Sequence, residues 1–301
     1  MPCYKPLKAW RDSSRRGITF NPSKAYIDQP VQIPCGQCLS CRQEKARQWA
    51  IRCDKEMKQH EQNCFITLTF DDQRVKNPLS TFTLIKKDFS NFMKRLRKNT
   101  GQKGIKFFHC GEYGEKHSRP HHHALLFGYD FPDKKQIQDS KLGHKQFDSD
   151  ILLKAWQNQG DVTISEANYA TAQYIAKYCT KVWTESKASP RTQEEIYNGV
   201  LPEYISMSRG GRNGKGIGYG FYNDYKDETY RDDNVIVNGT KMKPPKYYDS
   251  LYKEANPKHL AKLKQTRQTF AEGHEDYGDW DRLKEKELYH ELSTKHHTRY
   301  L

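Results

Sequence analysis

The sequence has little from which to build a large apolar interior. Only 35% of its 301 residues are hydrophobic, and mean hydropathy is −1.02. No apolar run approaches the roughly 18 residues that a membrane-crossing helix needs, so no membrane span is expected. The opening Met1-Pro2-Cys3-Tyr4-Lys5 lacks the apolar stretch of a secretory leader. The protein is therefore expected in a cytoplasm. The eight cysteines then read as metal ligands or core thiols rather than disulfides. There is no long internal repeat. No Gly-x-x-x-x-Gly-Lys phosphate loop is present either, so nothing in the chain identifies a helicase. Acid is also scarce: 37 Asp and Glu stand against 51 Lys and Arg, a net charge of +14. Such an excess points to a polyanion, with nucleic acid the first candidate. A solvated basic face, or a ribosomal or membrane-surface contact, is the plainer reading.

Residues 1–41 hold Pro22, Pro30 and Pro34 with no clear period and are expected to be irregular. Ala46, Trp49, Ala50, Cys53 and Met57 recur at helical spacing and predict a helix over Glu44–His60. Phe65-Ile66-Thr67-Leu68-Thr69-Phe70 alternates and predicts a strand, with Phe65, Thr67 and Thr69 on one face. Phe89, Phe92, Met93 and Leu96 predict a second helix over Lys86–Lys98, basic on its outer side. Strands follow over Ile105–Cys110 and His121–Phe127, then a short helix Ile151–Trp156 and a short strand Val162–Ile164. A helix over Asn168–Val182, with Ser165 as N-cap, completes the series.

This order predicts an α+β chain with a ferredoxin-like βαββαβ core: an antiparallel sheet with helices on one face and the other face free for a ligand. Four regions are expected. They are a Cys-rich segment and helix packed on the core (1–60), the core itself (61–182), a Gly- and Arg-containing extension (183–252) and a charged helical or disordered tail (253–301). Ser208–Phe221 reads as a loop or β-turn segment.

Three constellations carry chemistry. In Pro120-His121-His122-His123 the period of a strand puts His121 and His123 on one face, a ready pair of metal ligands, with His122 on the other. Glu112, at the end of the preceding strand, is the natural third ligand across the hairpin. A plain surface histidine run is the alternative. In Tyr174-Ile175-Ala176-Lys177-Tyr178-Cys179-Thr180-Lys181 the two phenols lie four apart on one helix face, and each is followed three residues later by a lysine. With a reference pKa near 10, about one phenol in a thousand is ionised at pH 7. A nucleophilic tyrosine therefore needs nearby cations, a metal or a base. The plain alternative is an aromatic face buried in the core, with lysines reaching back to water. Finally, Cys35, Cys38 and Cys41 form two consecutive C-x-x-C steps, a pattern for which zinc is the default metal. Cys3 is the expected fourth ligand, with Cys53, Cys64 or His60 as alternatives and an iron–sulfur cluster as the second choice. Cys110 and Cys179 read as core thiols.

Together the Thr-containing strand, the His-x-His strand and the Tyr-x-x-x-Tyr helix resemble the HUH superfamily of rolling-circle replication initiators with two tyrosines. Met1-Pro2-Cys3-Tyr4, Ile33-Pro34-Cys35-Gly36-Gln37-Cys38, Arg47–Cys53, Gly111-Glu112-Tyr113-Gly114 and Lys243–Tyr248 narrow the resemblance to the initiators of gokushovirus-type Microviridae phages, over about residues 1–250. One departure is His122, where the superfamily usually carries a bulky apolar residue; a register with His122 as ligand is the alternative, and Arg119-Pro120 before His121 favours His121 and His123.

The resemblance implies a metal-dependent nickase and strand-transfer enzyme. His121, His123 and Glu112 would hold Mg²⁺ or Mn²⁺, Tyr174 or Tyr178 would form a 5′-phosphotyrosyl bond, and Lys177 and Lys181 would steady phosphate or phenolate. The implied partners are single-stranded viral origin DNA and the host polymerase and helicase, in the bacterial cytoplasm. The helices over Arg42–Lys58 and Lys86–Lys98 would add phosphate contacts, and Arg209, Arg212 and Lys215 would do so unless their loop is simply solvated. Two other readings remain: a non-catalytic single-strand binder with stacking aromatics on the sheet, and a zinc-dependent hydrolase using water.

Overall fold

The computed structural model describes residues 3–14, 17–71, 83–114, 119–137, 139, 143–184, 200–210, 215–273 and 279–298; the side chains of Gln29 and of residues 178–184 and 294–298 lie outside that description. The elements in chain order are β1 (Leu7–Asp12), β2 (Ile18–Thr19), β3 (Ala25–Ile33), α1 (Leu39–Met57), β4 (Asn63–Thr69), α2 (Lys86–Thr100), β5 (Lys106–Tyr113), β6 (Pro120–Phe127), β7 (Lys135–Gln136), β8 (Phe147–Asp148), α3 (Asp150–Trp156), β9 (Val162–Glu166), α4 (Tyr169–Thr184), β10 (Tyr204–Met207), α5 (Tyr219–Arg231), β11 (Val235–Val237), β12 (Thr240–Met242), α6 (Lys246–Ala255), α7 (Pro257–Glu272) and α8 (Trp280–Thr298). The chain divides into two compact units, Ala46–Tyr252 and Met1–Lys45 with Lys253–Leu301.

The larger unit is built on an α+β core with an antiparallel sheet, in the order β10-β5-β6-β4-β9-β8-β7. Its four central strands, β5-β6-β4-β9, have the strand order of a split βαββαβ unit. Period-two alternation sorts the side chains of these strands into two layers. Ile66, Leu68, Ala124 and Leu126 meet Phe89, Phe92, Met93 and Leu96 of α2, with Trp156 of α3. Each of the Ile, Leu, Phe and Met side chains among these contributes about 1.5–3 kcal/mol when taken out of water. The opposite layer joins Phe65, Phe108, Cys110, Leu125 and Phe127 to Ala46, Ala50, Cys53 and Met57 of α1 and to Ala172, Ile175 and Ala176 of α4.

Helices thus cover both faces, which corrects the expectation of one free sheet face. The strands carry apolar residues at both parities, and such a sheet cannot leave either face to water. His122 belongs to the α2 layer. It is fully buried, with Nδ1 3.1 Å from His109 Nε2, and Phe89 stacks on His109 at 3.6 Å between ring centroids. Gly111 is required where β10 joins the sheet. A Cβ there would lie 2.7 Å from the Tyr204 ring, 3.1 Å from Leu84 and 3.2 Å from His122.

Several local expectations change. Ser165 lies within β9, and the N-cap of α4 is Asn168, whose Oδ1 accepts from the Thr171 amide at 3.0 Å. Of the Ser208–Phe221 segment, Tyr219 onward is helical in α5, and strand β10 precedes it. Helix α1 starts at Leu39, earlier than the apolar spacing indicated, and takes in Cys41.

In the smaller unit, residues 7–33 are not irregular: β1, β2 and β3 form an antiparallel sheet in the order β2-β1-β3. Pro30 obscured this in the sequence. It sits in the edge strand β3 beside a register shift opposite Trp10 and Arg11, a place where a missing amide hydrogen does no harm. The charged tail is helical in α7 and α8. Among the described residues no helix is long and apolar enough to cross a membrane.

Candidate functional site

Register places the first site. β6 lies between β5 and β4, with Glu112 directly opposite His121 in one ladder and Thr67 opposite His123 in the other. Glu112, His121, His123 and Thr67 therefore rise from one face of adjacent strands, the face covered by α4. Glu112 Oε1 lies 2.7 Å from His121 Nε2 and 2.9 Å from His123 Nε2.

Each imidazole is fixed from behind. His121 Nδ1 lies 3.0 Å from the Arg119 carbonyl, and His123 Nδ1 lies 2.9 Å from Thr67 Oγ1. A ring whose Nδ1–H donates rearward presents its Nε2 lone pair forward, as metal-bound histidines do. Phe65 stacks on the His123 ring with centroids 5.6 Å apart.

The three ligand atoms lie within 4.8 Å of one another. Among the described residues Glu112 Oε2 is buried without a hydrogen-bond partner. An orphaned carboxylate oxygen beside two forward-facing imidazoles fits a divalent cation, which would satisfy it and keep further positions open. Burial works against charge on Glu112, yet the neighbouring His121 and His123 side chains hold its carboxyl down at about 2. Burial likewise opposes protonation of His121, but its bond to Glu112 wins and its pKa is raised. At His123 burial prevails and the pKa is lowered.

Helix α4 brings the phenol to this cluster. Tyr174 Oη lies 3.2 Å from Glu112 Oε1 and 3.4 Å from His123 Nε2, and its ring meets His123 edge-on at 5.1 Å. Tyr174 is 37% exposed, so the phenol borders solvent rather than the core. Lys177 is exposed one turn further along α4. Tyr178 and Lys181 lie on the same helix, but their side chains are outside the described residues, as is that of Cys179. Cys110 is buried in the layer beneath α1 and α4.

Sequence reasoning assigned no role to Thr67, to the Arg119 carbonyl or to Glu203. Glu203 accepts from the Tyr113 amide at 3.3 Å and its charge favours the protonated form of His121. The sequence signal for Thr67 is its place on the same strand face as Phe65 and Thr69, opposite the apolar Ile66 and Leu68. No sequence signal marks Glu203, because the β10 pairing beside it was not foreseen. Arg209 and Lys215 are exposed, and Arg212 lies outside the described residues.

The second cluster lies in the smaller unit. Cys3, Cys35, Cys38 and Cys41 bring their sulfurs within 4.8 Å of one another, with Cys3 Sγ 3.8 Å from Cys38 Sγ. A tetrahedral zinc site with Zn–S of about 2.3 Å has sulfur–sulfur edges of about 3.8 Å. The amides of Cys35, Gln37 and Cys38 donate to Cys3 or Cys35 sulfurs at 3.2–3.4 Å. At Cys35, burial is outweighed by the amide donors from Cys38 and Gln37, and the thiol pKa is lowered. The alternative ligands are elsewhere: Cys53 and Cys64 are buried in the two layers of the large core, and His60 pairs with Glu56 at 3.0 Å.

A family model described as replication-associated protein ORF2/G2P matches residues 63–182. The chain is similar to the replication-associated protein ORF2 of Spiroplasma virus 4, 30% identical over 83% of this chain and 79% of that protein. It is also similar to the replication-associated protein VP4 of Bdellovibrio phage phiMH2K, 27% identical over 85% and 79% of the two chains. A third relative, the replication-associated protein ORF4 of Chlamydia phage 1, is 26% identical over 74% of this chain and 54% of its own. No solved structure matches the chain significantly.

Proposed function

The chain belongs to the replication-associated protein family of Microviridae-type phages, and on that premise we propose that it initiates replication by nicking single-stranded or melted origin DNA with a tyrosine. The observation that carries this reading is the position of Tyr174 Oη, 3.2 Å from Glu112 Oε1 and 3.4 Å from His123 Nε2. A phosphodiester bound at the three ligand residues would meet that phenol within reach of in-line attack.

Glu112, His121 and His123 would hold Mg²⁺ or Mn²⁺. When bound, such an ion supplies charge that stabilises the phosphoryl oxygens and polarises the scissile phosphate. The chain's own groups do the rest. Arg119 and Thr67 keep both imidazoles turned toward the ion. The Tyr174 oxygen forms a bond to phosphorus, the bond from phosphorus to the 3′ oxygen breaks, and the phenol proton passes in net to that oxygen. The products are a 5′-phosphotyrosyl linkage and a free 3′-hydroxyl for host polymerase. One ester replaces another, so the energy of the phosphodiester is kept. Tyr178, four residues on, is the second nucleophile that would let a later 3′-hydroxyl displace the first linkage and close a circle. Lys177 and Lys181 would steady phosphate or phenolate. The cysteine cluster would hold Zn²⁺ as a structural ion.

The test is incubation of the protein with an origin-bearing single strand and Mn²⁺ or Mg²⁺. A protein–DNA species that survives denaturation, and is lost in the Tyr174→Phe/Tyr178→Phe variant, is the expected result. Cut ends without an adduct would favour a water-using hydrolase, and no cutting would favour a plain binder.

A further inference from the structure

We propose that the outer face of α2 is a second DNA site that grips the phosphate backbone of a duplex flanking the cut strand. This rests on the reading of the chain as a DNA-processing protein and adds a second binding surface to it. Helix α2 carries six basic residues, Lys86, Lys87, Lys94, Arg95, Arg97 and Lys98, against one acid, Asp88.

These six divide into two groups. Arg95 Nε donates to the Ala155 carbonyl at 2.7 Å and Arg97 to the Ile105 carbonyl at 2.5 Å. Lys86 stands over the Tyr204 ring at 5.7 Å. These three serve the fold. Lys87, Lys94 and Lys98 are exposed to solvent. At 100° per residue Lys87, Asn91, Lys94 and Lys98 fall in one narrow stripe, about 16 Å long at 1.5 Å rise per residue. Phe89, Phe92, Met93 and Leu96 occupy the opposite side of the helix and bury themselves on the sheet.

The stripe cannot serve the DNA segment that reaches Tyr174. Strand alternation sets the α2 layer, with Ile66, Leu68 and Ala124, behind the sheet face that carries Thr67, His121 and His123. A helix with side chains is about 10–12 Å across, so the lysine heads lie a full helix and a sheet away from the phenol. The stripe therefore needs a DNA segment of its own. Its composition selects the form of that segment. Non-specific single-strand sites offer aromatic rings on which bases stack, whereas this stripe offers lysine, with Asn91 and Ser90 beside it and no aromatic. Charged and amide groups without a stacking platform suit a duplex backbone, which presents phosphates and hides the base faces.

The experiment measures binding of the full-length protein to a duplex of ~20 base pairs and to a single strand of equal length, across salt concentrations. Two charge-reversed variants are compared: Lys87→Glu/Lys94→Glu/Lys98→Glu on α2, and Lys258→Glu/Lys262→Glu/Lys264→Glu on α7, which changes net charge equally. The milder Lys87→Gln/Lys94→Gln/Lys98→Gln variant guards against misfolding. The α2 variants should lose duplex affinity tenfold or more, and the slope of log affinity against log salt should fall by about 2–3. Single-strand affinity should fall no further than in the α7 variant. Equal duplex losses in the α2 and α7 variants, or equal losses on duplex and single strand, would overturn the proposal. The readout is binding alone, so it stands apart from whether Tyr174 forms an adduct.

Discussion

At the scale of single residues the site depends on groups outside the proposed ligand set. Thr67 holds His123 by a 2.9 Å hydrogen bond to Nδ1, on the side of the ring away from Glu112. Replacing it with valine keeps the shape and removes the partner, which lets the ring turn. Removal of such outer partners typically weakens metal affinity 10–100-fold. Thr67→Val should therefore raise the Mn²⁺ concentration for half-saturation by about that factor, read by calorimetry, while the unfolding midpoint changes little. Strand period put His121 and His123 on one face, Arg119-Pro120 and the family resemblance favoured that pair over His122, and Glu112 followed from the hairpin. Thr67 was visible only as a member of a face. Its pairing with His123 depends on which strand β6 meets on its second edge, and local pattern carries no such information.

At the scale of elements, the large unit is fastened by a buried carboxylate. Glu56 of α1 accepts from Lys106 of β5 at 2.6 Å, from the Gly218 amide ahead of α5 at 2.7 Å and pairs with His60. Burial works against its charge, but these donors prevail and its pKa lies below the ordinary 4.5. A carboxyl depressed in the folded state stabilises the fold fully above its unfolded pKa and loses that contribution as pH falls through the folded value. Urea midpoints should fall between pH 5 and progressively more acidic conditions. Glu56→Gln should start lower at pH 7 and show a shallower decline over the same range. An unchanged slope in the variant would remove Glu56 from this role.

The smaller unit has its own fastening. Leu283 of α8 is buried against Cys3, Cys35, Cys38 and Cys41. Tyr4 Oη lies 2.8 Å from His290 Nδ1, and Lys5 pairs with Glu287 at 2.9 Å. Cys38→Ser, or chelation of the zinc proposed for the cysteine cluster, should raise hydrogen exchange in α8 amides while the β4–β6 amides keep their protection. The order of the helices and central strands was legible from periodicity. Residues 7–33 were not, because strands interrupted by proline and a register shift have no clean period. The tail was legible as charged and as helical or disordered, but not as a partner of the cysteines, since nothing local links Tyr4 to His290.

At the scale of the whole molecule, a sheet with both faces covered separates two kinds of surface. One side carries Glu112, His121 and His123 with Tyr174 of α4 against them, the other a basic helix whose apolar stripe is consumed by the core. Charge and motifs were legible in the sequence, but this division was not. The expectation of an open face came from the ferredoxin-like βαββαβ pattern, and parity of the apolar residues in β4, β5 and β6 was the better guide. The most direct measurement of the central claim is peptide mapping by mass spectrometry of protein reacted with an origin-bearing single strand and Mn²⁺. The account predicts a nucleotide joined through a 5′-phosphate to the peptide containing Tyr174 and Tyr178, with the Tyr174 oxygen as an attachment point. An adduct on a different residue, or free 5′-phosphate ends with unmodified tyrosines, would contradict it.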